Sequence, residues 1–172
     1  MPTAATTLAL AVLDGAFAGK AWQGPTLSGS LRGVTPALAL WKPGQRRRCI
    51  WEQLLHATYW KLTILRVFDP DTGLTLLRPG SNWPRPPAAA PAAASARQWK
   101  ADLARLHEVH AALRSAVAAL PEQAWHTRPR KPSSSAARSL TYAQYLAGAA
   151  AHDAYHTGQI RLLKRLHADR AR

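Results

Sequence analysis

The sequence predicts an all-α protein, a four-helix bundle with long connecting loops. Apolar residues recur at helical spacing in four separate stretches, and no stretch of convincing length alternates as a strand does. The chain is alanine-rich, which favours helix. Hydrophobic residues make up 47% of the chain and charged residues 19%, a balance typical of globular rather than disordered proteins. A length of 172 residues favours a single domain spanning residues 1–172.

The first predicted helix covers residues 3–18. Leu8, Val12 and Phe17 recur on one face, which we expect to be the buried face. This segment superficially resembles a signal peptide, but no basic residues precede the apolar run and Asp14 interrupts it. We therefore expect an amphipathic helix of the bundle here rather than a leader.

A connector rich in glycine and proline follows over residues 22–48, with short helices predicted after Pro25 and Pro36. The second long helix is predicted over residues 50–68. It should stop just before the Asp69-Pro70 dipeptide, because the residue before a proline avoids the helical conformation.

The segment from residue 69 to residue 95 is rich in proline, glycine and alanine, and it predicts a long loop. Apolar residues at helical spacing predict the third helix over residues 96–120. The last helix should begin near Thr141, a good N-cap residue, and continue to about residue 168. Helices that follow one another would then run antiparallel, alternating in direction through the bundle.

The chain is strongly basic, with 23 Lys and Arg against 9 Asp and Glu and a net charge of +14. Such a balance suits nucleic acid, anionic lipid or an anionic substrate, although an arginine-rich coding bias produces the same composition. Arginines at residues 46–48 and the basic segment at residues 128–131 would attract an anionic substrate.

The cysteine and hydropathy patterns exclude several classes of protein. A single cysteine rules out a disulfide framework and a thiolate zinc finger. No apolar run approaches the roughly 18 residues that a membrane span needs. We therefore expect a cytoplasmic protein without a membrane partner.

The sharpest local motif is HDAYH at residues 152–156 in the last predicted helix. His152 and His156 are four residues apart, one helical turn, so both could reach one metal ion. They share the predicted bundle-facing stripe, which also holds Leu146, Ala149, Ile160 and Leu163. Two inward imidazoles are costly to bury without partners, and a metal ion would supply one.

A pair of ligands is incomplete, because divalent metal sites usually draw at least three protein ligands. His56 is the best third candidate, since it also lies on the inward face of its helix. Three histidines would leave coordination positions open for water or substrate. The competing interpretation for His56 is an ordinary core histidine, and His107 with His110 form a rival pair three residues apart in the third helix.

Three further residues invite hypotheses. Asp153 and Gln159 could orient ligands or hold a metal-bound water, the alternative being ordinary helix hydrogen bonds or a salt bridge. Cys49 could be a nucleophile if Arg46–Arg48 and the helix N-terminus lower its pKa. Cys49 lies seven residues before His56, roughly 10 Å along the helix, too far away to join the same metal site.

Four segments of the chain resemble sequences of the DinB/YfiT-like superfamily: HDAYHTGQIRLLKRL at residues 152–166, IWEQLLHATYWK at 50–61, GSNWPRPP at 80–87 and AWQGPTLSGSLRGVTP at 21–36. The resemblance implies a four-helix bundle in which His56, His152 and His156 hold a divalent metal, and a homodimer. Some members of that superfamily transfer low-molecular-weight thiols such as bacillithiol, mycothiol or glutathione.

The expected function is therefore that of a metal-dependent enzyme acting on a small-molecule substrate, either a thiol S-transferase or a hydrolase. Imidazole ligands suit zinc, nickel, iron and copper alike; among these we expect zinc or nickel, with iron as a further candidate. Two alternatives stay open: a metal-stabilised interaction protein without catalysis, and a basic nucleic-acid-binding module. Nucleic acid is the less favoured partner, because no helix-turn-helix, zinc-finger or RNA-binding signature is present.

Overall fold

The computed structural model describes residues 3–78, 80, 82–88, 91–129 and 140–170. These residues form helices and turns without any strand, and none of the described helices is long and apolar enough to cross a bilayer. Residues 130 and 131 of the basic segment lie outside the described part. The elements are α1 (Ala4–Phe17), α2 (Leu27–Leu31), α3 (Pro36–Leu40), α4 (Ile50–Phe68), α5 (Ala92–Ala118), a 3₁₀ turn (Glu122–Ala124) and α6 (Tyr142–Asp169).

The four long helices form the predicted bundle. Helix α1 packs against α5 and α6, and α4 packs against the same two helices on the other side. Two apolar clusters fill the space between them. One is centred on Trp51, Leu54 and Leu106, and the other on Leu13, Leu65 and Leu113. Helices α2 and α3 cover one end of the bundle.

The helices do not alternate in direction, so that prediction was wrong. Trp51 at the start of α4 is hydrogen-bonded to Asp102 of α5, and Leu65 near the end of α4 clusters with Leu113 further along α5, so these consecutive helices run parallel. Helix α6 runs antiparallel to α4. Phe68 at the end of α4 contacts Tyr142 at the start of α6, and Lys61, which lies earlier in α4, pairs with Asp153, which lies later in α6. Helix α1 runs antiparallel to α5, and the order is up, down, down, up.

Residues 69–91, the crossover loop, make the parallel pair of helices feasible. Helix α4 has 19 residues and is therefore about 28 Å long. An extended chain covers up to about 3.3–3.6 Å per residue, so the loop can return along the whole helix with length to spare. On its way back it packs Leu74 and Leu76 against the apolar cluster around Leu65 and then passes beside His56.

Local signals place the helix ends well, with one exception. Helix α4 has the predicted bounds, Ile50–Phe68, and ends at Asp69-Pro70. Thr141 caps α6 as predicted, and its side chain accepts from the Gln144 backbone. Helix α5 starts at Ala92 rather than at residue 96, because the alanines after Pro91 favour helix once a turn is started.

The buried face of α1 differs from the predicted one. Leu8 and Val12 are 66% and 43% exposed. Ala9 and Leu13 instead point into the bundle, together with Phe17. Leu8 and Phe17 are nine residues apart, which places them on opposite sides of a helix, whereas Ala9, Leu13 and Phe17 recur every four residues. The helical period therefore agrees with the observed stripe and not with the predicted one.

Candidate metal centre

Three histidines from two antiparallel helices meet in the bundle. His56 comes from α4, and His152 and His156 come from α6. The Nε2 atom of His152 lies 3.3 Å from that of His56 and 3.0 Å from that of His156. One nitrogen from each ring lies within 4.8 Å of the other two. The structure thus brings together the three predicted ligand residues.

The outer nitrogens of two of these rings are fixed by hydrogen bonds. His156 donates its Nδ1–H to Oε1 of Gln53 at 2.6 Å. His56 donates its Nδ1–H to the backbone carbonyl of Asn82 in the crossover loop. A carbonyl oxygen only accepts, so the proton resides on Nδ1 in both rings and the Nε2 lone pair faces the other histidines.

All three imidazoles are neutral at neutral pH. Burial, together with the charges that His152 and His56 would carry, lowers the pKa of His156 to about 3. Burial, His56 and Lys61 lower the pKa of His152 to about 4. Burial also lowers the pKa of His56, partly offset by its bond to Asn82. Neutral imidazole is the form that binds metal ions.

The donor set fits a divalent transition metal. Lone pairs that converge in a buried space repel one another unless a proton or a metal cation lies between them. Two nitrogens bound to one tetrahedral zinc ion at about 2.0–2.1 Å lie about 3.3 Å apart, close to the spacings here. Three imidazoles leave at least one coordination position for another ligand, and such donors suit zinc, nickel and iron alike.

Aromatic rings surround the histidines. The indole of Trp83 stacks on the His56 ring with centroids 3.7 Å apart and an interplanar angle of 8°. The guanidinium of Arg48 lies 4.5 Å from the centroid of the Trp83 ring. Tyr155, which is exposed, meets His156 edge-on with centroids 5.0 Å apart. The crossover loop and α6 therefore form walls of the site.

Sequence reasoning missed the two groups that orient the ligands. Among the described residues it is Gln53, and not Gln159, that holds Nδ1 of His156. A polar residue three positions before His56, and therefore near the same inward face of the helix, was the available signal for Gln53. Nothing in the sequence pointed to the Asn82 carbonyl, because any residue offers a backbone oxygen.

Asp153 does not orient the histidine ligands. Its Oδ2 accepts from Nζ of Lys61 at 2.6 Å, and the two side chains are 2% and 1% exposed. It lies one position after His152, about 100° further around the helix, and therefore faces a different neighbour. The salt-bridge interpretation of Asp153 is the correct one.

Cys49 is not an activated nucleophile. It is fully buried at the N-cap of α4, and burial raises the pKa of its thiol to about 11, with the nearby Glu52 carboxylate adding to the rise. The arginines at residues 46–48 do not lower it as hypothesised. At this pKa the thiol stays protonated at neutral pH.

The rival pair of histidines lies elsewhere. His110 stacks on Phe17 with ring centroids 3.7 Å apart, and its Nε2 lies 3.5 Å from a carboxylate oxygen of Asp14. His107 is exposed and faces Ser28. Both therefore contact α1 and α2 instead of the three-histidine site.

Comparison with protein families gives one match. The model of the DinB superfamily matches residues 22–160, a range that contains all three histidines and the crossover loop. Comparisons with curated proteins and with solved structures found no match. The match covers most of the chain and agrees with the bundle and its histidine cluster. The chain belongs to the DinB superfamily.

Proposed function

We propose that this protein is a metal-dependent thiol S-transferase. His56, His152 and His156 would hold a divalent transition metal, zinc or nickel with iron as the next candidate. The substrates would be a low-molecular-weight thiol and a small electrophile. The observation that carries the proposal is the convergence of three Nε2 atoms in neutral rings, two of which are oriented from behind by Gln53 and Asn82.

The surroundings of the site favour thiol activation over water activation. Within the described residues no carboxylate bonds to the three histidines. Asp153 is taken by Lys61, and Glu52 by Lys42 and Arg48. A metal ion lowers the pKa of a bound water towards about 7 by itself, but a positioned general base assists hydrolysis further, and these side chains do not supply one. A thiol needs less help, because coordination to a divalent cation strongly favours its deprotonated form.

The reacting thiol has to come from a substrate. Cys49 is the one cysteine of the chain, and it is buried with a raised pKa. In the proposed reaction the thiol of the substrate loses its proton to solvent. Its sulfur then forms a bond to an electrophilic carbon, and the leaving group departs with its bonding electron pair.

The charge around the site favours an anionic thiol. Neutral imidazoles leave the charge of a divalent cation uncompensated. Arg48, whose side chain is half exposed, adds positive charge near His56. The rings of Trp60, Trp83 and Tyr155 offer apolar surface to the body of the electrophile.

Metal analysis with a transfer assay tests this proposal. Wild-type protein should hold about one equivalent of zinc or nickel and conjugate bacillithiol, mycothiol or glutathione to monochlorobimane. His156→Ala should lose both metal and activity. His107→Ala, which removes a histidine outside the site, should keep both. Equal metal content in wild type and His156→Ala would contradict the site.

Other results would select the alternatives. Bound metal with ester or amide hydrolysis but without thiol transfer would indicate the hydrolase. Bound metal that raises only the melting temperature would indicate a non-catalytic, metal-stabilised protein, because a ligand of the folded state stabilises whether or not it reacts. Tight nucleic-acid binding that survives 200 mM salt would point to the basic binding module, since contacts to phosphates alone weaken steeply with salt.

A further inference from the structure

We propose that the Arg78–Asp102 ion pair positions the metal ligand His56 by anchoring the crossover loop. This inference rests on the proposed metal site. Neither residue touches a histidine of that site, so both would act through the loop. Arg78 and Asp102 are therefore proposed as positioning residues and not as ligands.

Asp102 joins three parts of the structure through one oxygen atom. It lies on α5, and its side chain is 1% exposed. Its Oδ2 accepts from Nε1 of Trp51 on α4 at 2.8 Å, and from Nε and Nη2 of Arg78 in the crossover loop at 3.0 Å each. Its Oδ1 accepts no hydrogen bond from the described part of the chain. The position of the loop at Arg78 is thus fixed relative to α4 and α5.

The segment after Arg78 leads directly to the metal site. Four residues further on, the Asn82 carbonyl accepts the Nδ1–H of His56, and the next side chain, Trp83, stacks on the same ring. Between Arg78 and Asn82, Gly80 has a φ of 141°, a conformation that residues with a side chain rarely adopt. Only four positions along the chain separate Arg78 from Asn82, and a chain spans at most about 3.3–3.6 Å per residue, so an anchor at Arg78 limits where the Asn82 carbonyl can lie.

These contacts connect α4 to the crossover loop at two separate points. Trp51 and His56 belong to the same helix, so α4 is tied to the loop once through Asp102 and Arg78 and again through Asn82. The first tie sets where the Asn82 carbonyl lies. The second uses that carbonyl to keep the His56 proton on Nδ1 and the Nε2 lone pair towards the other ligands.

Loss of the ion pair should therefore weaken metal binding in a folded protein. Without Arg78 the loop loses one of the contacts that place the Asn82 carbonyl, so part of the cost of orienting His56 falls on metal binding. Removing a group that directly orients a metal ligand typically weakens metal binding about 10- to 100-fold. For Arg78, which acts through the loop, we expect a loss of about tenfold, at the lower end of that range.

The test is a Co²⁺ titration of the full chain, followed by the visible absorption of the bound ion. Arg78→Gln should bind Co²⁺ about tenfold more weakly than wild type, with altered band positions, and Arg78→Lys should recover part of the affinity. The double variant Arg78→Gln/Asp102→Asn leaves no unpaired buried charge. It should show the same weakening of Co²⁺ binding, and it replaces the single variant if Arg78→Gln folds poorly. The matched control is Arg105→Gln, because Arg105 lies on α5 near Asp102 but pairs with Glu108.

The outcomes separate this inference from the function on which it rests. Wild-type affinity and an unchanged spectrum in Arg78→Gln and in the double variant would overturn the positioning role, even if the melting temperature fell. An equal loss of affinity in Arg105→Gln would also overturn it. Failure of the wild-type protein to bind Co²⁺ or Zn²⁺ would instead overturn the metal site itself.

Discussion

Gln53 and Asn82 determine which nitrogen the histidines present to the site. An imidazole can carry its proton on either nitrogen, and a carbonyl partner at Nδ1 selects the tautomer with a free Nε2. The two partners differ in kind, since Gln53 offers a side-chain oxygen from α4 and Asn82 a backbone oxygen from the crossover loop. Only the first can be removed by substitution.

Gln53→Ala should therefore weaken metal binding by about 10- to 100-fold, because His156 loses the acceptor that fixes its ring. The measurement is competition with a chromophoric zinc chelator. Gln159→Ala is the matched control and should bind as the wild type does. A loss in the control and none in Gln53→Ala would show that the orienting residue has been misassigned.

The stability of the metal-free protein should fall in acid, partly because of His110. Burial, the neighbouring Lys61 charge and His107 lower the pKa of His110 from 6.5 to about 3, although Asp14 acts in the opposite sense. The unfolded chain then binds a proton that the folded chain does not, so stability is full above pH 6.5 and declines as the pH falls towards 3.

His110→Phe should flatten that decline, because a phenyl ring keeps the packing against Phe17 and does not titrate. Removing the imidazole should lower the slope of unfolding free energy against pH by up to about 1.4 kcal/mol per pH unit. The measurement is urea unfolding between pH 7 and pH 4 with chelator present. An unchanged slope would show that His110 takes up its proton at the same pH in the folded and in the unfolded chain.

At the scale of elements, a buried ion pair joins the two helices that carry the histidines. Lys61 on α4 and Asp153 on α6 are almost fully enclosed, and Lys61 also lies 5.0 Å from the centroid of the Phe17 ring on α1. Three helices therefore meet at one cation. Such a pair adds little net stability, but it becomes costly when one partner is removed.

Lys61→Met should lower the unfolding free energy by about 3–5 kcal/mol, since it leaves the carboxylate buried without a cation. The double variant Lys61→Met/Asp153→Leu should recover most of this loss. Chemical denaturation of metal-free protein measures both. As a control, Arg105→Met removes a partly exposed ion pair and should cost less than about 1 kcal/mol. A double variant as unstable as the single one would contradict this account.

At the scale of the whole molecule, the described residues that are exposed along α1 and the central part of α6 carry no charge. The exposed residues in the central part of α6 are Ala147, Gly148, Ala151, Ala154, Tyr155 and Gly158, and those along α1 are Ala4, Thr7, Leu8, Ala11 and Val12. These helices pack side by side. In a chain of net charge +14, a face without charge is one that can meet its own copy without repulsion.

We expect a homodimer that uses this face of α1 and α6. Ala151→Arg should convert it to a monomer, because two like charges would meet in the interface. Ala104→Arg introduces the same change on the exposed face of α5 and should leave the dimer intact. Light scattering coupled to size-exclusion chromatography distinguishes the two states. A monomeric wild-type protein, or a dimer in both variants, would contradict the expected interface.

Sequence alone was sufficient for features that depend on neighbours along the chain. Asp69-Pro70 marked the end of α4, and Thr141 marked the start of α6. The four-residue spacing of His152 and His156 placed them on one face, and the fold class and the DinB resemblance followed from patterns of this kind. Each signal acts within about one helical turn, so it survives whatever the rest of the chain does.

Tertiary structure decided everything that depends on contacts distant in sequence. It made α4 and α5 parallel by sending the crossover loop back along the bundle. It paired Asp153 with Lys61, and it placed the Asn82 carbonyl against His56, which is 26 residues away in the chain. Periodicity shows which faces of a helix are apolar. The partner of a buried polar group depends instead on which elements pack together, and local patterns in a single sequence do not show that.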